Sequence, residues 1–443
     1  MRLFFRLPLT FVLVPLTIFL AATMPSPASA QSQDKALERA KKLLRSTPLI
    51  DGHNDLPWEI RQRKDAPMDV AAYDLRKTTE GHTDLARLAQ GQVGAQFWSI
   101  YIPGEIKDSG FAKVQLEEFD IARRVVARYP ERLELALTAT DIQRGFKRGR
   151  IPSLLGMEGG HAIENSLGAL RSYYDLGARY MTLTHNVTLD WADAALDSVR
   201  HNGLTEFGRE VVREMNRLGM LVDLSHVSPA TMSDALDITD APVIFSHSAA
   251  KALTDHPRNV PDSILKRLPR NGGVVMVTFV PAFVSPEVAA WEAQAKEQTD
   301  GIKEAVSDTV EQKRRFEEWK STHPRPSATL AQVADHIEHV RKVAGSDHVG
   351  IGSDFDGIDT TPEGLEDVSK FPQLFAELIR RGWSDSDLKK LAGQNVLRAL
   401  RASEATAARL QKMRQPSTKT IQQLDGTGKS ISGKLQAGSP GRG

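Results

Sequence analysis

Eight short apolar runs, separated by stretches of helical periodicity, constrain this chain more than any other feature. They lie at residues 49–50, 93–100, 151–157, 180–183, 220–224, 243–245, 274–279 and 349–352. Each is nearly continuous in apolar character, as a strand buried on both faces of a parallel sheet must be. Between them, stretches such as 115–129, 166–176, 205–218 and 228–239 place apolar residues at helical spacing. An alternation of strand and helix repeated eight times predicts an α/β protein with a (β/α)8 TIM barrel. A doubly wound open sheet is the alternative, but no glycine-rich nucleotide turn follows the first run.

The ends of the chain read differently. Arg2 and Arg6 precede an apolar run over about 7–22, and Pro27-Ala28-Ser29-Ala30 closes it with small residues. Residues 1–30 therefore read as a secretory signal peptide cleaved after Ala30, which predicts an exported protein, periplasmic or secreted. Pro8 and Pro15 interrupt the run and argue against a transmembrane anchor. The chain has no cysteine, so lipid attachment through cysteine and disulfides are both excluded. Removing Arg2 and Arg6 from 57 basic residues, set against 56 acidic ones, leaves a net charge of −1. That balance gives no footprint for a nucleic acid. No second apolar segment is long enough to span a bilayer, so no stable membrane anchor is expected.

The barrel domain is expected over 31–410, entered by an amphipathic helix at 31–47. A charged stretch at about 284–345 is too long for a simple connection. It reads as a helical insertion, with periodicity over 288–319 and 330–343, serving as a lid or an interface. The tail 411–443 is rich in Gly, Ser, Thr, Gln and Lys and is expected to be disordered. It lacks the hydrophobic end that a glycolipid-anchor signal requires.

In such a barrel the chemistry collects where strands end and the following loops begin. Six of the eight runs end in His, Asp or Glu. The first is followed by His53 and Asp55, two apart, so that both side chains leave an extended segment on one side. The third ends in Glu158 between Met157 and a glycine pair, and the fourth in Thr184-His185-Asn186. The fifth and sixth end in Asp223-Leu224-Ser225-His226 and Phe245-Ser246-His247-Ser248, and the eighth in Ser353-Asp354-Phe355-Asp356. One ligand-rich mouth accounts for all six. His161 and His201 read as structural or loop histidines, as do His82 and His256. His323, His336, His339 and His348 read as solvated surface.

His53, Asp55, Glu158, His226 and His247 make five ligands. That exceeds the three protein ligands and open position of a single catalytic zinc. Two metals sharing a bridging carboxylate, about 3.5–4 Å apart, accommodate five and hold a hydroxide that is nucleophilic at neutral pH. Imidazole and carboxylate without thiolate suit Zn2+, with manganese and cobalt as alternatives.

The motifs Asp51-Gly52-His53-Asn54-Asp55, Gly156-Met157-Glu158-Gly159-Gly160-His161, Thr184-His185-Asn186, Asp223-Leu224-Ser225-His226, Phe245-Ser246-His247-Ser248, Arg258-Asn259-Val260-Pro261 and Gly350 to Gly357 occur in one order over roughly 45–400. In this the chain resembles the membrane (renal) dipeptidase family of zinc metallopeptidases. The resemblance implies a barrel of the metal-dependent amidohydrolase type with a binuclear zinc site. It puts His53 and Asp55 on one zinc, His226 and His247 on the other, and Glu158 between them. It also implies substrate contacts from His185 and Arg258, and acid/base work by Asp354. The expected reaction is hydrolysis of dipeptides, L-L and in some members L-D. The alternative is the same site acting on another amide, such as an N-acyl amino acid or a β-lactam. Mammalian members carry cysteines and a glycolipid anchor. This chain has neither, so it is expected to be an exported bacterial-type member, and a homodimer would have to be non-covalent.

Overall fold

All eight runs become strands of one closed parallel barrel. The structure is a computed structural model that describes residues 27–106 and 110–426, with side chains from residue 35 onward. The strands are β1 (Leu49–Asn54), β2 (Val93–Tyr101), β3 (Leu133–Leu135), β4 (Ile151–Glu158), β5 (Ala178–Thr182), β6 (Leu221–Asp223), β7 (Ile244–Ser248), β8 (Val274–Val277) and β9 (Val349–Ile351). Their order is β2-β1-β9-β8-β7-β6-β5-β4, and β2 pairs with β4 to close the ring. The unforeseen β3 pairs only with the start of β4, where β2 has diverged.

Inside the barrel Ile50, Phe97, Leu154, Tyr180, Leu221, Ile244, Val274 and Met276 form one buried cluster. A larger cluster lies between the strands and the helices. The helix Glu206–Leu218 shows how the outer layer is specified. Thr205 caps it by accepting from the N–H of Gly208, and Gly219 ends it in the left-handed region at φ 86°. Between these signals Phe207, Val211, Met215 and Leu218 repeat at helical spacing and are buried. Each such side chain contributes about 1.5–3 kcal/mol.

Several expectations need correction. Gly52 lies inside β1, which continues to Asn54 with a shift of register against β2 between Asp51 and Asn54. Its lack of a side chain matters for packing, because a Cβ there would lie 2.6 Å from Met276 Sδ and from the Ser246 carbonyl oxygen. Within 284–345, Leu330–Ala344 packs on β8 and β9 as a helix of the barrel, burying Val333, Ile337 and Val340. The part that stands away is the pair Pro286–Ala305 and Thr309–Thr322. It is held together by Trp291 against Trp319, with ring centroids 5.6 Å apart. His336 and His348, expected on the solvated surface, are buried. His336 Nδ1 accepts from the N–H of Ala250, and His348 Nδ1 lies 2.7 Å from the Gly273 carbonyl.

The tail also differs from expectation over 411–426. The last barrel helix, Asn395–Met413, passes residue 410, and a short helix Ile421–Asp425 follows. This segment lies along Glu206–Leu218: Ser417 donates its N–H to Glu214, and Asp425 accepts from Thr205 and from the N–H of Phe207. Residues 427–443 lie outside the described residues, as does most of the proposed signal segment. The expected cleavage point, Ala30, falls in the helix Pro27–Ser46. Among the described residues no helix is long and apolar enough to cross a membrane.

Candidate active site

The C-terminal ends of the strands converge on one polar mouth, and its frame is set by β1 and β9. The buried carboxylate of Asp51 accepts from the N–H and Oγ of Ser353 and from Gln96, which ties β1 to its two neighbours. Burial pushes this carboxyl up to about 6, with the Ser353 bonds opposing. Further along, the N–H of Asp354 donates to the His53 carbonyl at 3.1 Å, and the N–H of Asp55 donates to the Phe355 carbonyl at 2.9 Å. The turn that carries Asp354 is thus held by the backbone of the strand that carries His53. Asp354 sits there at φ 69°, and His226 at φ 68°. Each left-handed non-glycine residue costs on the order of 1 kcal/mol and persists because its surroundings hold it.

Glu158, the last residue of β4, stands at the centre with its two oxygens facing different groups. Oε2 lies 3.3 Å from His53 Nε2 and accepts from Ser99 Oγ at 3.1 Å. Oε1 lies 2.9 Å from His226 Nε2, 3.5 Å from His247 Nε2 and 3.8 Å from His185 Nε2. Asp55 Oδ2 adds a carboxylate oxygen 3.2 Å from His53 Nε2.

Each of the three buried histidines has its Nδ1 occupied by a different partner. His226 Nδ1 lies 3.0 Å from Asn186 Oδ1. His247 Nδ1 lies 2.8 Å from Ser246 Oγ, whose own proton goes to Asp223 Oδ2. His53 Nδ1 lies 2.9 Å from the Tyr180 hydroxyl. This pattern assigns the proton to Nδ1 in each ring and leaves Nε2 with its lone pair facing inward. His226 and His247 then oppose two lone pairs at 2.9 Å, which repel unless a cation or a proton lies between them.

The electrostatics favour a metal cation over a proton at that pair. Burial holds His226 well below its ordinary value, with Arg258 and His185 reinforcing; burial does the same for His247, with His53 and Arg258 reinforcing. Both are therefore neutral imidazoles, the form that binds metal. For His53 burial opposes the charged form, yet the Asp55 and Glu158 carboxylates beside it raise it well above the ordinary range. Its Nε2 is buried and, among the described residues, makes no well-directed hydrogen bond, so a cation fits the acidic end of the mouth. Burial would raise Glu158, but His53 and His226 hold it well below the usual carboxylate range.

Potential ligand atoms fall into three overlapping groups: His53 with Glu158 and His247, Glu158 with His185 and His226, and His53 with Asp55 and Asp354. His247 belongs with His53 in the first group while its Nε2 lies 2.9 Å from His226 Nε2, so the donor set is continuous through Glu158. It offers only imidazole nitrogen and carboxylate oxygen, a fit for Zn2+ or another divalent ion of similar preference.

Three further groups border this set. Arg258 is buried, donates to the His247 carbonyl at 3.4 Å, and has its Cζ 5.1 Å from the Phe283 ring centroid. Among the described residues its Nε has no partner, so the guanidinium keeps a donor free for a ligand. Burial lowers it to about 10, with Asp354 opposing, and it stays charged at neutral pH. Burial lowers His185, with Glu158 opposing. Asp354 is pushed up to about 8 by burial; His53 opposes, and Asp55 and Glu158 reinforce.

All eight residues singled out in the sequence therefore meet in one mouth. Sequence reasoning missed their supports. Asn186, Asp223 and Ser246 were visible beside the candidate ligands, without a stated role. Ser99 and Tyr180 gave no signal, since each reaches the site from a different strand. His161 is structural as expected, with Nε2 3.1 Å from the Ile102 carbonyl.

The model of the family described as membrane dipeptidase (peptidase family M19) matches residues 37–414. The chain is 42% identical over 388 residues to the dipeptidase verJ of Clonostachys rogersoniana, covering 85% of this chain and 89% of that one. The probable dipeptidase PvdM from Pseudomonas aeruginosa superposes with a TM-score of 0.72 at 26% identity, over 84% of this chain and 100% of that one. A metallopeptidase from Rhodobacter sphaeroides, solved with a phosphinate mimic of the dipeptide L-Ala-D-Ala, superposes with a TM-score of 0.67. It is 25% identical over 81% of this chain and 99% of its own.

Proposed function

Because the chain belongs to the membrane dipeptidase family, peptidase family M19, and is a metallo-dipeptidase, we propose that it works with two zinc ions bridged by Glu158. The observation that carries this is the division of the Glu158 carboxylate, with Oε2 toward His53 and Oε1 toward His226 and His247. His53 and Asp55 would hold one ion, and His226 and His247 the other. When bound, such a pair polarises the scissile carbonyl and makes a water nucleophilic at neutral pH.

The chain's own residues supply the rest. Arg258 pairs its planar fork with the free carboxylate of the dipeptide, which sets the distance from that carboxylate to the mouth and disfavours longer peptides. His185 donates to the carbonyl oxygen as negative charge develops there, a contribution of a few kcal/mol for a fixed donor. Asp354 takes the proton released by the attacking water and delivers it to the leaving amine as the C–N bond breaks. The inhibitor in the Rhodobacter relative supports tolerance of a D-residue at the carboxyl end. We also propose that residues 1–30 direct export and are removed; N-terminal sequencing of the mature protein would show Gln31 first.

The test is hydrolysis of a panel of L-L and L-D dipeptides, a tripeptide, an N-acyl amino acid and a β-lactam, with metal content measured alongside. The expected result is two zinc ions per chain, dipeptide cleavage that stops on chelation, and recovery on adding zinc. No dipeptide turnover by the fully metallated protein would overturn the reading and move the weight to another amide.

A further inference from the structure

We propose that Tyr180 is a positioning residue for the metal centre, fixing the tautomer and ring plane of His53 through a contact made across the barrel interior. The inference rests on the reading of His53 as a metal ligand.

Tyr180 stands on β5, and His53 on β1; β4 and β2 lie between them in the ring. Its side chain crosses that gap inside the barrel. On the way it passes over Gly156 of β4, where a Cβ would lie 2.0 Å from Tyr180 Cζ, so only glycine leaves the path open. It meets Phe97 of β2 at a centroid distance of 5.1 Å. At the far end the hydroxyl lies 3.2 Å from the Gly52 carbonyl and 2.9 Å from His53 Nδ1.

The single hydroxyl proton decides the rest. The Gly52 carbonyl can only accept, so all three groups are satisfied only when the phenol donates to Gly52 and accepts from His53 Nδ1–H. His53 Nε2 is then left unprotonated and directed at Asp55 and Glu158. The two rings lie near parallel, 22° apart, which fixes the imidazole plane as well. The other two metal-facing histidines draw their Nδ1 partners from Asn186 and Ser246, next to candidate site residues in sequence. Only His53 depends on a residue from a strand that is not its neighbour. Such outer partners typically change metal affinity about 10–100-fold when removed.

Tyr180→Phe keeps the ring against Gly156 and Phe97 and removes only the oxygen. Zinc affinity would be measured by chelator competition, and cobalt loading followed by visible absorption, on wild type, Tyr180→Phe and Ser246→Ala. The expected result is two sites in wild type. In Tyr180→Phe one site weakens about 10–100-fold with a changed cobalt spectrum, and the other is unaltered. In Ser246→Ala the other site is the one to weaken. A purely structural role would lower thermal stability and leave both affinities in place, and that result overturns the inference. Wild type that takes up no metal would overturn the two-metal reading itself, and this inference with it. Independently of any variant, 15N spectra of histidine-labelled, zinc-loaded wild type should show His53 protonated at Nδ1 and metal-bound at Nε2; the reverse pattern also overturns it.

Discussion

The backbone N–H of Asp354 donates to the carbonyl of His53 at 3.1 Å, so the proposed acid/base group and a proposed metal ligand hang on one hydrogen bond. Gly357 closes the same turn through its N–H to the Asp354 carbonyl. A Cβ at Gly357 would lie 2.3 Å from Asp55 Oδ2 and 2.7 Å from Asp354 Oδ1. Gly357→Ala must displace one carboxylate or the other. Since misplacement near 1 Å costs about 100-fold in rate, kcat should fall about 10–100-fold with the fold retained. Unchanged kcat in a folded variant would mean the turn is more compliant than these contacts allow.

Arg258 lies over Phe283 with an unpartnered Nε, a geometry that suits a planar fork rather than a point charge. Arg258→Lys keeps the charge and loses the fork. Charge-assisted hydrogen bonds contribute about 1.5–3 kcal/mol, so KM for a dipeptide should rise about 10–100-fold, with a smaller change in kcat. The check is a paired assay with the dipeptide amide, which lacks the carboxylate. The amide should be as poor a substrate for wild type as the dipeptide is for the variant. Equal loss on both substrates would show that Arg258 acts elsewhere than on the carboxylate.

These residues were legible because barrel geometry delivers them in a regular way. A side chain at the C-terminal end of each strand must face the mouth, so the apolar runs located His53, Glu158, His226 and His247 before any contact was known. What escaped was set by contacts between distant parts of the chain. Tyr180 reads as one more apolar residue of its run, and nothing local shows that its hydroxyl reaches β1. The strand Leu133–Leu135 is three residues long with a glutamate at its centre, too short for any periodicity. The 411–426 segment reads as disordered because it has few large apolar side chains. It is held instead by hydrogen bonds donated by Arg171 and Thr205 and one accepted by Glu214, with only Ile421 and Leu424 packed on the core.

That segment gives a prediction of its own. Asp425 accepts from Thr205 Oγ1 at 2.6 Å and from the N–H of Phe207 at 3.1 Å, so it caps the helix Glu206–Leu218 from 218 residues beyond Phe207. A capping side chain is typically worth about 1 kcal/mol, which for a chain of this size corresponds to about 1–2 °C in Tm. Asp425→Ala should lower Tm by that amount, and truncation after Met413 should lower it further. Thermal unfolding of the two variants beside wild type decides the point. A truncated protein as stable as the full chain would show that the strap contributes nothing.

Glu118 predicts how stability responds to pH. It is fully buried on the helix Phe111–Arg128, with Arg61 Nη1 3.3 Å from Oε1 and, among the described residues, no well-formed hydrogen bond to either oxygen. Burial pushes its carboxyl up to about 8; Arg61 opposes, and Asp55 and Glu117 reinforce. In the unfolded chain the group ionises near its ordinary value of about 4.3. Between these two values the folded state retains a proton that the unfolded state has released. The group's contribution is therefore fully present below about pH 4.3, and it is lost progressively as pH rises to about 8, by up to about 1.4 kcal/mol per pH unit. Glu118→Gln keeps the shape and an acceptor for Arg61 but cannot ionise. The variant should match wild type near pH 4 and exceed it at pH 8, in urea unfolding followed across that range. Parallel pH profiles for the two proteins would mean that Glu118 is ionised in the folded state and that Arg61 outweighs its burial.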